Sequence, residues 1–234
     1  MVTWPSEIEK VYLIAHPIKE KERFDRLIAH VIERGIPRER IEVVAPCWGT
    51  DLTSETIFNV YDPYLPRACP CFTFKGRNLT RPEISLGLNF YMAMRSAVEK
   101  TNKFVLTLES DVYLREDFLP RLNDLMKDLE KKQWDYVSLG EGVGTRPPGA
   151  HPSMYAPTKA YQPPHQLVFR CTDSMLFRTD FLRKVTTTFV PFREIIDWEM
   201  NFQNMVHKGI ALWADPPLAE QGTCYGRLVS SLPA

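Results

Sequence analysis

The residues of this chain best placed to do chemistry are two acids at the end of an apolar run. Residues 103–112 read Lys-Phe-Val-Leu-Thr-Leu-Glu-Ser-Asp-Val, so that Phe104 to Leu108 leads directly into Glu109 and Asp111. A segment in which nearly every position is apolar, rather than every second one, predicts a strand buried on both faces. In an open α/β sheet, ligands bind just beyond the carboxyl ends of the strands, which is where these acids fall. Residues i and i+2 of an extended segment point the same way, and two carboxylates so placed repel each other unless a positive charge lies between them. A hard divalent cation with oxygen ligands, holding a phosphate on its free side, suits that pattern. The plainer alternative is a strand end followed by an Asp that caps a helical region at 114–131. His151, His165 and His207 are each candidates for a third metal ligand, although a lone histidine is more often a surface or packed residue.

The elements that must position these groups are legible in order. Val11–Ala15 predicts a first strand and Phe24, Leu27, Ile28, Val31 and Ile32 a helix, stopped by Gly35 and Pro37. Ile41–Ala45 predicts a second strand, parallel to the first because a helix joins them. The stretch from Pro46 to Leu79 lacks a period and is long for a loop, so it is either functional or contains short elements. Thr80, Pro82 and Glu83 form a capping-box start for a helix through Ile84, Leu88, Tyr91 and Val98, which feeds the central strand. A helix through Phe118, Leu122, Leu125, Met126 and Leu129 follows, then a strand at Tyr136–Gly140. Residues 141–165, rich in proline and glycine and without a period, predict a mobile surface loop beyond a strand end, a candidate lid. Strands at Gln166–Cys171 and Ser174–Phe177, a short helix capped by Thr179, a helix at Glu194–Lys208 and a strand at Ile210–Ala214 complete the reading. This is an α/β chain, and residues 1–234 form one domain with no internal repeat.

Composition narrows the function classes. With 29 basic and 29 acidic side chains the net charge is zero, which argues against a broad nucleic-acid footprint. The first ten residues have neither the basic nor the apolar region of a signal peptide, and no run approaches the ~20 apolar residues needed to span a bilayer. Five cysteines without paired spacing (Cys69-Pro-Cys71 has no second pair) predict free thiols, so a reducing, cytoplasmic setting is expected. The sequon at Asn78-Leu-Thr80 is then coincidental.

Several stretches in this order resemble nucleotide-sugar glycosyltransferases of the GT-A fold, and most closely glycosyltransferase family 25. Arg23-Phe-Asp-Arg26 looks like that family's Arg-x-Asp-Arg, and Leu79-Thr-Arg-Pro-Glu-Ile-Ser85 like its helix start. Val105–Val112 looks like its Leu-Glu-Asp-Asp-Val strand end, while Trp134–Gly140 and Ala214–Gln221 match later landmarks. Ser110 stands where the family has a middle acid, and Leu88-Asn89 stands near where it has a Ser-His pair.

The resemblance implies a single GT-A domain that transfers a hexose from a nucleoside-diphosphate sugar, a UDP-hexose, to a hydroxyl of a glycan or glycoconjugate, with inversion. On that reading Glu109 and Asp111 hold Mn²⁺ or Mg²⁺ against the diphosphate, with Ser110 between them. His16, Arg23 and Arg26 after the first strand, Asp51 after the second, and Glu83 are expected around the nucleotide, Glu83 with capping as its plainer role. Asp197, or else Glu199, is the expected base, and Trp198 could stack on a sugar face. Arg170 and Asp173 are expected beside the acceptor. Two other classes stay open: a Mg²⁺-dependent phosphohydrolase or nucleotidyltransferase, and a non-catalytic sugar-nucleotide-binding domain.

Overall fold

A computed structural model describes residues 2–65, 78–142, 144–164 and 170–230. In the first half of the chain these form β1 (Ile8–Ile14), α1 (Lys21–Glu33), β2 (Ile41–Val43), α2 (Ser54–Val60), α3 (Arg81–Lys100), β3 (Phe104–Glu109) and β4 (Val112–Leu114). There follow α4 (Phe118–Leu129), β5 (Tyr136–Ser138), β6 (Lys159–Tyr161), β7 (Ser174–Arg178), α5 (Thr179–Val185), α6 (Ile196–Val206), β8 (Ala211–Asp215) and β9 (Ala219–Gln221).

Among these, seven strands make one sheet in the order β2-β1-β3-β7-β5-β8-β6. β1 pairs parallel with β2 and β3, and β5 parallel with β8, while β7 and β6 run against their neighbours. Five of the seven strands therefore point one way, which is the mostly parallel α/β arrangement expected. Side chains alternate across it: Val11 and Leu13 join the core beneath α1 and α4, whereas Tyr12 and Ile14 join the core beneath α3, α5 and α6. Because helices cover both faces, Val11–Ile14 of β1 is apolar throughout and Phe104–Leu108 of β3 is apolar but for Thr107. No helix among the described residues is long and apolar enough to cross a membrane.

Short elements separate this structure from the sequence reading. The stretch 46–79 contains α2, capped by the Thr53 hydroxyl, which accepts from the Thr56 N–H at 3.1 Å. The stretch 141–165 contains β6, which adds an edge to the sheet by pairing with β8. β9 was not expected at all; it pairs with β4 as a separate two-stranded ribbon beyond the end of β3. Three residues are too few for any hydrophobic period to register. The expected strand at 166–171 falls largely, and His165 entirely, outside the described residues.

Candidate active site

A cleft of about 850 Å³, open mouth included, lies at the carboxyl ends of β1 and β3. Its floor is Ile14, Ala15 and His16 after β1, and Glu109, Ser110 and Asp111 after β3. The start of α3 (Pro82, Ser85, Asn89) and the loop Trp48–Thr50 form one wall; Gln221, Thr223 and Ser230 form another.

Several devices fix these walls. Glu83 accepts the Thr80 N–H at 2.8 Å and its hydroxyl at 3.0 Å, completing the capping box that starts α3. Further along α3, Asn89 accepts the Cys47 N–H at 3.2 Å and donates to the Cys47 carbonyl at 3.1 Å, which Ser85 also meets. Trp48 is thereby held with its ring edge-on to His16, the centroids 5.4 Å apart. Gly49 permits this approach, since a Cβ there would stand 2.8 Å from the Pro82 nitrogen. Opposite, Arg26 donates to the carbonyls of Ser110 at 2.6 Å and Val112 at 3.0 Å while its guanidinium lies over the Tyr113 ring, so it clamps the turn that carries Asp111.

The acids are crowded and little relieved. Asp111 is buried; its Oδ2 accepts the Thr223 hydroxyl at 2.6 Å, while its Oδ1 has no partner among the described residues. Glu109 accepts the Thr172 hydroxyl at 2.7 Å. Burial, and after it the Asp111 charge, holds its carboxyl well above the usual range, with smaller contributions from Asp173 and Asp197. Asp173 is 1% exposed; Ser174 donates to its Oδ2 at 2.9 Å and its Oδ1 has no described partner. Burial, together with the Asp111 charge, pushes Asp173 up to about 7 against the opposing pull of hydrogen bonding and of Arg170. Gly140 gives this carboxylate its room, because a Cβ there would lie 2.6 Å from Oδ2.

The remaining expected residues divide clearly. His16 and Arg23 line the cleft. The His16 Nδ1 accepts the N–H groups of Ile18 and Lys19, and Arg23 pairs with Glu20 at 3.5 Å and donates to the Val229 carbonyl. Asp51 stands outside the cleft, exposed and paired with Lys19 at 3.5 Å, while its neighbours Trp48 to Thr50 do the lining. Asp197, in the first turn of α6, accepts the Trp198 N–H at 2.9 Å and lies close enough to add to the upward shifts of Glu109 and Cys171.

Three of the expected residues do not line the cleft. Glu199 is fully buried: Arg193 pairs with it at 3.0 Å, Gln203 donates to it at 2.9 Å, and the N–H groups of Arg193 and Glu194 complete its shell. Its carboxylate is thus held by four donors inside the protein. Arg170 donates to the carbonyls of Gly140, Ala214 and Thr145 and lies over the Trp213 ring, so it ties β5, β8 and the following loop together instead of meeting an acceptor. Glu83 is the helix cap described above and does not line the cleft. As for the histidines, His151 accepts the Ser153 N–H and His207 meets Thr188 at 2.7 Å; neither lines the cleft. No group of three or more His, Cys, Asp or Glu arranged to hold a metal is present among the described residues.

Sequence reasoning missed Glu20 and Thr223. Glu20 accepts the His16 N–H at 3.3 Å and the Ser110 hydroxyl at 3.3 Å inside the cleft. It sits in a run of lysines and glutamates that reads as a solvated face, and only its place directly before α1 marks it. Thr223 offers no pattern at all; the β4–β9 pairing brings it in.

No family model matches the chain. A human protein named inactive glycosyltransferase 25 family member 3 is 31% identical over 140 residues, covering 58% of this chain and 22% of that protein. A rat protein named probable inactive glycosyltransferase 25 family member 3 is 35% identical over 69 residues, covering 29% of this chain and 12% of its own length. The chain thus matches no more than about a quarter of these relatives. A crystal structure of S. aureus TarS 1–349 overlays with a TM-score of 0.49 at 17% identity, covering 90% of this chain and 59% of that one. The chain is similar to glycosyltransferase 25 family members, as its motifs suggested.

Proposed function

We propose that this chain, with its likeness to glycosyltransferase 25 family members, is a cation-dependent glycosyltransferase domain. Its donor would be a UDP-hexose and its acceptor a hydroxyl on a glycan or glycoconjugate. One observation carries the reading: a cleft at the strand ends has an aromatic pair, His16 and Trp48, at one wall and a buried carboxylate, Asp111, at its floor, one oxygen of which has no partner among the described residues.

The donor set fits Mn²⁺ or Mg²⁺. Asp111 presents a buried oxygen without a described partner, and Glu109 is raised first by burial and then by the Asp111 charge beside it. Hard cations take several oxygen ligands, many from waters and phosphates, so two protein acids suffice. When bound, the cation would neutralise the departing diphosphate. Arg23 would take a phosphate oxygen, Trp48 and His16 would flank the base, and Ser110 with Glu20 would meet the hydroxyls of the nucleotide. Asp197 would accept the acceptor's hydroxyl proton as that oxygen bonds the anomeric carbon and the carbon–phosphate-oxygen bond breaks. One base and a single displacement give inversion. Trp198 beside it would pack on a sugar face and Asp173 would orient a hydroxyl.

A second reading, a domain that binds the sugar nucleotide without turning it over, is favoured by Ser110, which donates to Glu20 where a third acid would otherwise stand. The names of the two relatives point the same way for those proteins. The free thiols Cys47, Cys171 and Cys224 support a reducing, cytoplasmic setting.

Two variants separate these readings. Asp111→Asn is expected to lose Mn²⁺-dependent UDP binding. Asp197→Asn should keep that binding and lose sugar transfer by about 10²- to 10⁴-fold, the usual contribution of a general base. Full transfer by Asp197→Asn would place the base elsewhere. UDP binding without donor turnover in the wild type would favour the binding module.

A further inference from the structure

The stretch that follows β9 runs along the cleft and forms one of its walls instead of leading away from it. The Gly222 N–H donates to the Asp111 carbonyl at 2.8 Å, and the Thr223 hydroxyl to Asp111 Oδ2 at 2.6 Å. The Tyr225 hydroxyl donates to Glu141 at 3.0 Å, and Arg227 pairs with Glu220 at 2.8 Å over the Tyr113 ring. At its far end the Val229 carbonyl accepts from Arg23, and Ser230 lines the cleft. Apart from Gly222 the stretch buries little: Cys224 to Arg227, Val229 and Ser230 are exposed. It is held by polar contacts for which water competes, so each contributes little net free energy.

We infer that residues 222–230 form a strap that competes with the donor nucleotide for the cleft, so that strap docking and nucleotide binding exclude each other. The inference rests on the donor-site reading above. Its ground is that the strap touches the two charged groups that reading needs most. A diphosphate oxygen and the Val229 carbonyl seek the same Arg23 N–H groups. The Thr223 hydroxyl takes lone pairs of Asp111 Oδ2 that a cation would use. Ser230 forms part of the cleft wall, so the strap and the cleft share a boundary. With the strap docked, only the undocked fraction of molecules is competent, and the apparent dissociation constant rises in inverse proportion to that fraction.

The test titrates UDP and GDP, each with Mn²⁺, into the full chain and into two variants. Tyr225→Phe removes a strap contact without touching Arg23 or Asp111; Thr223→Val removes the contact to Asp111 itself. Both variants are expected to bind the preferred nucleotide about 3- to 10-fold tighter than the wild type. Trypsin should cut after Arg227 faster when that nucleotide is present, as read by mass spectrometry of the released peptide beginning at Leu228. Variants that bind equally would mean that strap docking does not oppose the donor, and weaker binding or cleavage slowed by nucleotide would mean that the strap closes over it; either overturns competition and leaves the donor site standing. If neither wild type nor variants bind either nucleotide, the donor-site reading fails and the inference falls with it.

Discussion

Asp173 is nearly without solvent, and its carboxyl is pushed up to about 7 by burial and the Asp111 charge. In the unfolded chain it returns to the ordinary range near 3.9. Between these values the folded protein holds a proton that the unfolded chain has released, so stability falls as pH rises. The contribution is whole below about pH 4 and is lost as pH passes about 7. Glu109 is raised for the same first reason and carries the same sign. Asp173→Asn is therefore expected to flatten the stability loss between about pH 5 and pH 7.5 by roughly 1–3 kcal/mol, read by urea unfolding. A variant with the wild-type slope would show that Asp173 titrates as an ordinary acid. Residue types made Glu109 and Asp111 legible as a pair, but the extended geometry expected of them is replaced by a turn at Ser110 and Asp111 between β3 and β4, and it is that turn which sets Asp111 in the cleft. Residue types could not separate Asp197 from Glu199. That distinction depends on Arg193 and Gln203, whose contacts with Glu199 arise from how the chain enters α6.

At the scale of elements, the cleft depends on how closely the loop after β2 approaches the start of α3. Gly49 permits an approach that a Cβ would obstruct with backbone, not with a flexible side chain. Gly49→Ala should accordingly cost about 1–3 kcal/mol by forcing the backbone apart. Because Trp48 and Thr50 line the cleft, it should also weaken nucleotide binding, checked by urea unfolding and titration together. Unchanged binding in a destabilised variant would remove this loop from the nucleotide site. The long helices α1, α3 and α4 were legible because an amphipathic period repeats over several turns. The capping box at Thr80 was legible because its partners are three residues apart. By contrast β6 and β9 exist only through their pairing with β8 and β4, which local sequence does not encode.

For the whole molecule, a mostly parallel sheet with helices on both faces leaves the strand ends as the place where charge is collected. The curated likeness extends over 58% of the chain and agrees with motifs spread along it. The central claim is that the cleft binds a nucleotide sugar through a cation on Asp111. The most direct measurement is the thermal stability of the full chain against a panel of nucleotide sugars, with and without Mn²⁺, repeated with Asp111→Asn. At a ligand concentration about 100-fold above its dissociation constant the stabilisation is about 2.7 kcal/mol. For a chain of 234 residues that corresponds to a rise of roughly 5–10 °C in melting temperature. The account predicts such a rise with one UDP-hexose, dependent on Mn²⁺ and abolished by Asp111→Asn. No rise with any nucleotide sugar, or an equal rise in Asp111→Asn, would contradict it.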